Sequence, residues 1–456
     1  MSDRLIFQLG TNNWQRGGEF APGSGILHEA HHHAYNALPG VRAYSMYPSR
    51  RQRLRDEDVR VFALEHDIPI CESISPVSSY RWHSMSEDEV NAYRQRLTNE
   101  VAKWLDEIEA DSGGRFSLAI AHHGFMNTVV MRDVIRRRAA AGRGSMPLLC
   151  FVHGTELKMY ANERRADQPA DFPLRFLPFM QREKIFDYNA PQHAVDVVAS
   201  VSAEQVEALL DVFPEFPRER MVLSRNGYNR DVFHRLTDRY ADRAKVLAGF
   251  MTQVPEGSGR QPEPIAPADG FDAVVAFCGK FADWKRLDAL LHAAAIYEQQ
   301  QRRILTLVIG SGPLEAQVEM NDLAAQLGLR RTYFLGPRPQ DELAVLFNCA
   351  DLGCFPSYRE PFGLVFIECM ACGTPVIGAD SGGPRDFVTP EVGMLVPETN
   401  DRAALAQSLA AAVDRGLDEG WKQTKGAAAE TYAKENFSVV SQVCTLLAEV
   451  DRLTTT

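Results

Sequence analysis

A turn between a predicted strand and a predicted helix contains the sequence Arg359-Glu360-Pro361-Phe362-Gly363-Leu364-Val365-Phe366-Ile367-Glu368. A strand followed directly by a helix is the repeating unit of a parallel α/β sheet. Glu360 and Glu368 lie eight positions apart. A helix that starts near Phe362 would place Glu360 in the preceding turn and Glu368 about two turns into the helix, since a turn takes about 3.6 residues. Both carboxylates can then face one ligand.

The start of this predicted helix is suited to an anionic or hydroxylated ligand. The backbone N–H groups of Phe362, Gly363 and Leu364 would have no partner within the helix, and they form an electropositive end. Gly363 has no side chain to keep a ligand away from the backbone. The alternative is structural: Glu360 is a helix-start carboxylate and Glu368 a solvated helix residue.

The same alternation of strand and helix extends along most of the chain. Apolar runs predict strands in the first half at 5–7, 59–64, 117–121, 148–153 and 195–201, and in the second half at 273–277, 305–309, 333–335, 352–355, 375–377 and 393–396. The clearest helix is 86–110, which opens with the capping box Ser86-Glu87-Asp88-Glu89 and continues with an apolar stripe. The fold class is therefore α/β with parallel sheets.

A segment rich in proline and glycine interrupts this pattern between 236 and 270. We expect an N-terminal domain over 1–235, a linker or long loop over 236–270, a C-terminal domain over 271–430, and a last helix over 431–456 that packs back on the N-terminal domain. Open parallel sheets bind ligands beyond the carboxyl ends of their strands. Two Rossmann-like domains are thus expected to face a central cleft that holds the substrates.

Composition excludes several classes of protein. The 456 residues are 45% hydrophobic and 24% charged, which is typical of a globular protein. The net charge of −11 disfavours a protein that binds nucleic acid or an anionic membrane through its whole surface. No apolar run approaches the roughly 20 residues that a membrane-spanning helix needs, and no secretory signal is apparent, so we expect a cytoplasmic protein. The eight cysteines are scattered, as expected for reduced thiols.

Six motifs of the second half occur in the order found in one enzyme family. This half resembles the retaining glycosyltransferases of family 4, which have the two-domain GT-B fold. The motifs that carry the resemblance, with Glu360-x7-Glu368 among them, lie at 279–288, 310–313, 334–336, 360–368, 370–377 and 381–384.

The resemblance implies a nucleoside diphosphate sugar as co-substrate and a small-molecule or glycan acceptor, with no other cofactor and no metal. Glu360 would contact the transferred sugar together with the backbone of Phe362, Gly363 and Leu364, and Glu368 would bind the ribose hydroxyls. Lys280 and Lys285 would neutralise the diphosphate. The donor site would also include Gly310 and Arg338.

One position departs from the family pattern. Relatives usually have an arginine where this chain has Lys280, so a bidentate fork is replaced by a point charge. A fixed cation at this place would still stabilise the negative charge that builds up as the phosphate leaves the sugar.

The first half contributes weaker signals. Gly25 in Gly23-Ser24-Gly25 could approach a phosphate, or it could belong to an ordinary flexible loop. His153 ends a predicted strand and resembles the active-site histidine of the family, which contacts the donor sugar. The alternative is a strand-end histidine without a catalytic role. We assign His28, His32 and His123 to the acceptor side.

Two patterns point to metals instead. The pattern H-E-x-x-H occurs in His28-Glu29-Ala30-His31-His32. In a helix it would form the zinc site of a metallohydrolase, with His28 and His32 as ligands and Glu29 as the base. No third ligand follows at the usual spacing, so this remains the alternative to glycosyl transfer. Asp56-Glu57-Asp58 satisfies D-x-D but lies in a charge-rich stretch. A non-catalytic nucleotide-sugar binding protein and an epimerase are further alternatives.

Overall fold

A computed structural model describes residues 4–14, 23–49, 56–64, 85–163, 176–190, 195–236 and 242–454. These residues form two compact units. Among the described residues, the first unit consists of those up to Asn226 and those from Val439 onward. The second unit consists of the described residues within Gly227–Ser438. The chain therefore passes from the first unit to the second before residue 235, the predicted boundary, and it returns to the first unit near its C-terminal end.

The first unit is built on a seven-stranded parallel sheet. Its strands are β1 Arg4–Leu9, β2 Val41–Ser49, β3 Val59–Ala63, β4 Phe116–His122, β5 Leu148–Val152, β6 Val197–Ser200 and β7 Met221–Leu223. Its helices before residue 226 are α1 Gly23–Asn36, α2 Glu87–Ser112, α3 Met126–Ala140, α4 Thr155–Glu163, α5 Phe176–Glu183 and α6 Ala203–Val212. The strand order is β3-β2-β1-β4-β5-β6-β7, so the direction of winding reverses between β1 and β4. Ligands of such sheets bind at this switch point.

The second unit is built on a six-stranded parallel sheet. Its helices are α7 Arg243–Leu247, α8 Leu287–Gln299, α9 Leu314–Gln326, α10 Gln340–Cys349, α11 Leu364–Ala371, α12 Arg402–Asp418, α13 Trp421–Thr424 and α14 Gly426–Asn436. Its strands are β8 Ala273–Cys278, β9 Ile304–Ile309, β10 Thr332–Gly336, β11 Leu352–Phe355, β12 Val376–Ala379 and β13 Gly393–Val396. The order β10-β9-β8-β11-β12-β13 puts the switch point between β8 and β11.

The last helix, α15 Val439–Thr454, belongs to the first unit. Its apolar stripe is buried against one face of the first sheet and against α1. An ion pair of 2.6 Å between Arg4 in β1 and Asp451 in α15 adds a polar contact. Alternate residues of β1 point to opposite faces of the sheet. Phe7 packs in the core on the α2 side, and Ile6 packs in the core on the α15 side.

The parallel α/β class predicted from the sequence is confirmed, and so is the capping box at the start of α2. The Ser86 hydroxyl accepts from the Glu89 N–H, and the Glu89 carboxylate accepts from the Ser86 N–H. The sequence pattern did not indicate β2, because Arg42, Ser45 and Pro48 interrupt its apolar residues. The cysteines among the described residues are free thiols.

The segment expected to be a linker is anchored to the second unit at several points. Met251 pairs with Pro264 in an isolated bridge, and the N–H of Gln253 donates to the carbonyl of Phe334 in β10 at 2.7 Å. Leu247 and Ile265 are buried. Ile265 is an isolated buried residue between Pro264 and Pro267, and such a residue produces no helical or strand period in the sequence.

Candidate functional site

Three tight turns meet at the carboxyl ends of β8, β9 and β10. Gly310 has a φ of 122°, and a Cβ there would lie 2.0 Å from the carbonyl oxygen of Gly279. The N–H of Gly310 donates to the carbonyl of Gly336 at 2.9 Å. Only glycine fits at position 310, because both the backbone angle and the space exclude a side chain. Lys280 follows Gly279 at this edge and is partly exposed.

An ion pair joins the loops that follow β8 and β11, the two strands at the switch point. The Lys285 Nζ lies 2.6 Å from Oε2 of Glu360, and the two side chains are only 12% and 10% exposed. The Lys285 ammonium also lies 4.4 Å from the ring centre of Trp284. The N–H of Tyr358 donates to the carbonyl of Trp284 at 2.7 Å, which holds the two loops together. A charge-assisted hydrogen bond of this kind fixes both partners in position.

The segment Ser381-Gly382-Gly383 supports the backbone around Glu360. The Ser381 hydroxyl accepts from the Arg359 N–H at 2.9 Å, and the Gly383 N–H donates to the Glu360 carbonyl at 2.7 Å. Gly382 has a φ of 75°, and a Cβ there would lie 2.3 Å from the Glu360 carbonyl oxygen. This close approach orients the Glu360 carboxylate through its own main chain.

Helix α11 begins at Leu364, two residues after the predicted start. Gly363 precedes it with a φ of 101° and no side-chain cap. As a glycine, Gly363 supplies no side-chain cap to the first-turn N–H groups, the groups that bind anions at helix starts.

Glu368 lies further along α11 and is partly exposed. Burial raises the pKa of its carboxyl to about 7. The thiol of Cys278 at the end of β8, whose pKa burial raises to about 12, interacts with the charges of both Glu368 and Lys285. Glu368, Lys285 and Glu360 are therefore brought together around the end of β8.

The Arg338 side chain is hydrogen-bonded within the second unit. Its Nε donates to the Leu335 carbonyl at 2.9 Å, and its two terminal nitrogens donate to the Glu342 carboxylate at 3.2 Å and the Met251 carbonyl at 2.6 Å. Every guanidinium nitrogen thus has a partner inside the second unit. Arg338 therefore holds residue 251 to the end of β10, and its contact with the donor stays a prediction.

Histidines gather at the corresponding edge of the first unit. His28 comes from α1, His122 and His123 from the end of β4, and His153 from the turn after β5. The ring centres of His28 and His122 are 3.8 Å apart, and those of His123 and His153 are 4.7 Å apart. Nδ1 of His122 lies 2.9 Å from Nε2 of His153. The switch point between β1 and β4 explains why residues so distant in sequence meet here.

Glu156, in the first turn of α4, holds one member of this cluster. Its Oε2 lies 3.3 Å from Nδ1 of His123, and its Oε1 accepts from the Gly124 N–H at 2.9 Å. The sequence analysis assigned no role to this residue, although the spacing His153-Gly154-Thr155-Glu156 contains it.

Burial controls the charge of the histidines. Burial, followed by repulsion from neighbouring histidines, lowers the pKa of His28, His122 and His153 well below the ordinary value. Burial also lowers the pKa of His31 to about 4. These rings are neutral at pH 7.

The two histidines of the H-E-x-x-H pattern do not converge. His32 contacts Ser45 Oγ at 2.8 Å, Asn36 at 3.2 Å and Asp58 at 3.3 Å, whereas His28 belongs to the other histidine cluster. The metallohydrolase alternative fails for this reason. His28, His32 and His123 are all buried, with 0%, 2% and 3% of their surface exposed, and their assignment to the acceptor side stays a prediction.

Two other predicted features have structural partners. Asp58 faces His32, and Glu57 forms an ion pair with Arg42, so the D-x-D pattern belongs to a surface network. Gly25 lies inside the first turn of α1 rather than in a loop before it, and the Ser24 hydroxyl accepts from the Asn12 amide at 2.5 Å.

Comparisons with known proteins identify the family. Residues 264–427 match the family described as Glycosyl transferases group 1. The D-inositol 3-phosphate glycosyltransferase of Corynebacterium efficiens is 37% identical over 370 residues, which cover 78% of this chain and 77% of that protein. The enzyme of the same name from Salinispora tropica is 41% identical over 144 residues, which span 30% of each chain.

Solved structures agree on the fold. Sucrose-phosphate synthase from Thermosynechococcus elongatus has a TM-score of 0.65 at 21% identity, with 99% of this chain and 100% of that chain covered. Anabaena HepE in complex with UDP and glucose has a TM-score of 0.64 at 17% identity, with 98% and 100% covered. None of the helices in the described part of the chain has the length and apolar character needed to cross a membrane. The chain belongs to the group 1 glycosyl transferases, the retaining, nucleotide-sugar-dependent enzymes of family 4 with the GT-B fold.

Proposed function

We propose that this enzyme transfers a hexose from a UDP-sugar, held by the second unit, to the hydroxyl of an inositol phosphate. The observation that carries the donor half is the 2.6 Å pair of Lys285 and Glu360 at the switch point of the second sheet, next to the uncapped start of α11. It supplies a fixed cation and a fixed carboxylate at the place where such sheets bind ligands.

The diphosphate is bound without a metal in this proposal. Lys280, Lys285 and the first-turn N–H groups of α11 supply the positive charge. This positive charge stabilises the transition state more than the bound donor, because the bond between the anomeric carbon and the phosphate oxygen breaks and leaves negative charge on the phosphate. Glu368 binds the ribose hydroxyls. Its pKa of about 7 lets it both donate and accept hydrogen bonds at neutral pH.

Glu360 contacts the hydroxyls of the transferred sugar in this proposal. Its carboxylate is held by Lys285, so it is a poor candidate for a covalent nucleophile. In this proposal the acceptor oxygen attacks the anomeric carbon on the same face of the sugar from which the phosphate leaves. The carbon–oxygen bond to the acceptor forms as the bond to phosphate breaks, and the acceptor proton passes to the departing phosphate oxygen. The configuration at the anomeric carbon is thereby retained.

The proposed acceptor rests on the relatives. The proteins from Corynebacterium efficiens and Salinispora tropica are both called D-inositol 3-phosphate glycosyltransferases. The UDP donor rests on HepE, whose structures contain UDP and UDP-glucose.

The test is a matrix of donors and acceptors. The purified enzyme is incubated with UDP-, GDP- and ADP-hexoses and with either inositol 3-phosphate or free inositol, and the products are identified by mass spectrometry. We expect a glycosylated inositol phosphate with a UDP-sugar and far less product with free inositol. Equal transfer to both acceptors would contradict the phosphate requirement. Binding of donor without transfer would indicate a binding protein, and conversion of the donor to another nucleotide sugar would indicate an epimerase.

A further inference from the structure

Three histidines of the first unit are arranged as ligands of one cation. His28, His123 and His153 each offer a ring nitrogen, and these three nitrogens all lie within 4.8 Å of one another. The rings come from α1, the end of β4 and the turn after β5, so the fold and not a local sequence motif brings them together. We propose that the first unit binds a divalent cation of the zinc class through His28, His123 and His153.

His28 provides the strongest indication of a ligand. Its side chain is 0% exposed, and neither Nδ1 nor Nε2 has a hydrogen-bond partner among the residues that the structure describes. Buried polar atoms in folded proteins almost always have a partner, because leaving one unsatisfied costs its hydration energy. A cation at the centre of the three rings would give one of these nitrogens a bond.

The other two rings have the outer contacts that metal-bound histidines usually have. Nδ1 of His123 contacts Oε2 of Glu156, and Nε2 of His153 contacts Nδ1 of His122. In this proposal the cation binds Nε2 of His123 and Nδ1 of His153, the nitrogens that these contacts do not use. A histidine that binds a metal commonly donates its second N–H to a carboxylate or another acceptor, which fixes the ring and its tautomer. Glu156 is itself held by the N–H of Gly124.

The donor set selects the kind of cation. Imidazole nitrogens suit zinc, cobalt, nickel and copper, whereas magnesium and calcium prefer oxygen. Zinc–nitrogen bonds of about 2.0–2.1 Å put tetrahedral ligand atoms about 3.4 Å apart, so small rotations of the three rings would close the site. His153 is the partly exposed member of the three and leaves the fourth position accessible. Three protein ligands with an open fourth position are typical of zinc sites that bind water or a further ligand.

This site shares only His28 with the H-E-x-x-H pattern, and its other two histidines come from β4 and the turn after β5. His32, the second histidine of that pattern, contacts Ser45, Asn36 and Asp58. The family resemblance also assigns His153 to the transferred sugar. The test therefore measures metal binding directly and does not use transferase activity.

The experiment is a metal titration of the full chain after removal of metal with a chelator. Zinc and cobalt are added in equilibrium dialysis, and the unfolding temperature is recorded with and without zinc. We expect one ion per chain, a cobalt spectrum of nitrogen ligands in tetrahedral geometry, and a higher unfolding temperature with zinc. Magnesium should not compete.

Variants identify the ligands. His28→Ala and His123→Ala should weaken zinc binding at least 10-fold, and Glu156→Gln, which removes only the outer carboxylate, should weaken it by about 10- to 100-fold. His33→Ala, an exposed histidine of the same helix, and His32→Ala are the matched controls and should bind zinc like the wild type. If His28→Ala does not fold, His123→Ala and Glu156→Gln still decide the result. No bound ion, or binding lost in His32→Ala and kept in His123→Ala, would overturn the proposal.

Discussion

The Lys285 ammonium lies 2.6 Å from the Glu360 carboxylate although 75 positions separate them in the chain. The two residues follow neighbouring parallel strands, β8 and β11, whose carboxyl ends meet at one edge of the sheet. The alignment of these two strand ends brings the two loops together. The pair is partly shielded from water, which strengthens its mutual attraction relative to an exposed ion pair.

Lys280 is the position at which the chain departs from its family. Lys280→Ala should weaken donor binding and lower turnover together, because the diphosphate is bound in the ground state and gains charge in the transition state. Lys280→Arg should retain activity and bind the donor at least as tightly if the fork reaches the phosphates. Donor affinity and turnover are measured for both variants, with Lys103→Ala, an exposed lysine of the first unit, as the control. Unchanged constants in Lys280→Ala would mean that residues 279–288 do not hold phosphate.

The raised pKa of Glu368 predicts a pH dependence of stability. Its carboxyl titrates near 4.5 in the unfolded chain and near 7 in the folded one. The folded state therefore binds the extra proton between these values, and the free energy of unfolding falls as the pH rises from about 4.5 to about 7. Glu368→Gln should lack this contribution.

The check is a comparison of denaturant unfolding at pH 5 and pH 7. The wild type should lose more stability than Glu368→Gln between the two values. An equal loss of stability in the two proteins between pH 5 and pH 7 would show that the pKa of the Glu368 carboxyl is not raised.

Gly310 should tolerate no side chain. In Gly310→Ala the new Cβ would meet the Gly279 carbonyl oxygen at 2.0 Å, and the φ of 122° is unfavourable for alanine. Gly328 is a matched control, since its φ is also positive, at 69°, but a Cβ there meets nothing within 4 Å. We expect Gly328→Ala to cost about 1–2 kcal/mol of stability and Gly310→Ala clearly more, with weaker donor binding. Calorimetric unfolding gives both values, and equal losses would contradict the close contact.

Transfer should survive chelation of metals. The proposed diphosphate site uses Lys280, Lys285 and helix N–H groups, and zinc in the histidine site plays no part in it. Activity is measured after dialysis against EDTA and after addition of magnesium, manganese or zinc. Loss of activity that magnesium or manganese restores would mean that a metal ion holds the diphosphate.

Features that depend on local sequence could be predicted, and features that depend on tertiary contact could not. The capping box of α2 and the turn before α11 are local, and they were found from Ser86-x-x-Glu89 and from Glu360 to Glu368. The contact of Ser381 with the Arg359 backbone joins loops that are distant in sequence, so no local signal revealed it.

Side-chain roles were the least predictable. The hydrogen bonds of the Arg338 guanidinium to the carbonyls of Leu335 and Met251 had no signal in the sequence. The H-E-x-x-H spacing correctly put two histidines on one helix. The two side chains nevertheless contact different groups, because His28 packs against His122 and His153 whereas His32 contacts Ser45.

The most direct test of the donor site is a double-mutant cycle on its ion pair. The efficiency of transfer, kcat/KM for the donor, is measured for wild type, Glu360→Gln, Lys285→Ala and the double variant. Glu360→Gln alone should lower turnover by about 10²- to 10³-fold, because it removes a charged contact to the transition state. Because the two groups act as one unit, the double variant should be less impaired than the product of the single effects, by a coupling energy of about 0.5–3 kcal/mol. Activity of Glu360→Gln within twofold of the wild type, or strictly additive effects, would contradict the account.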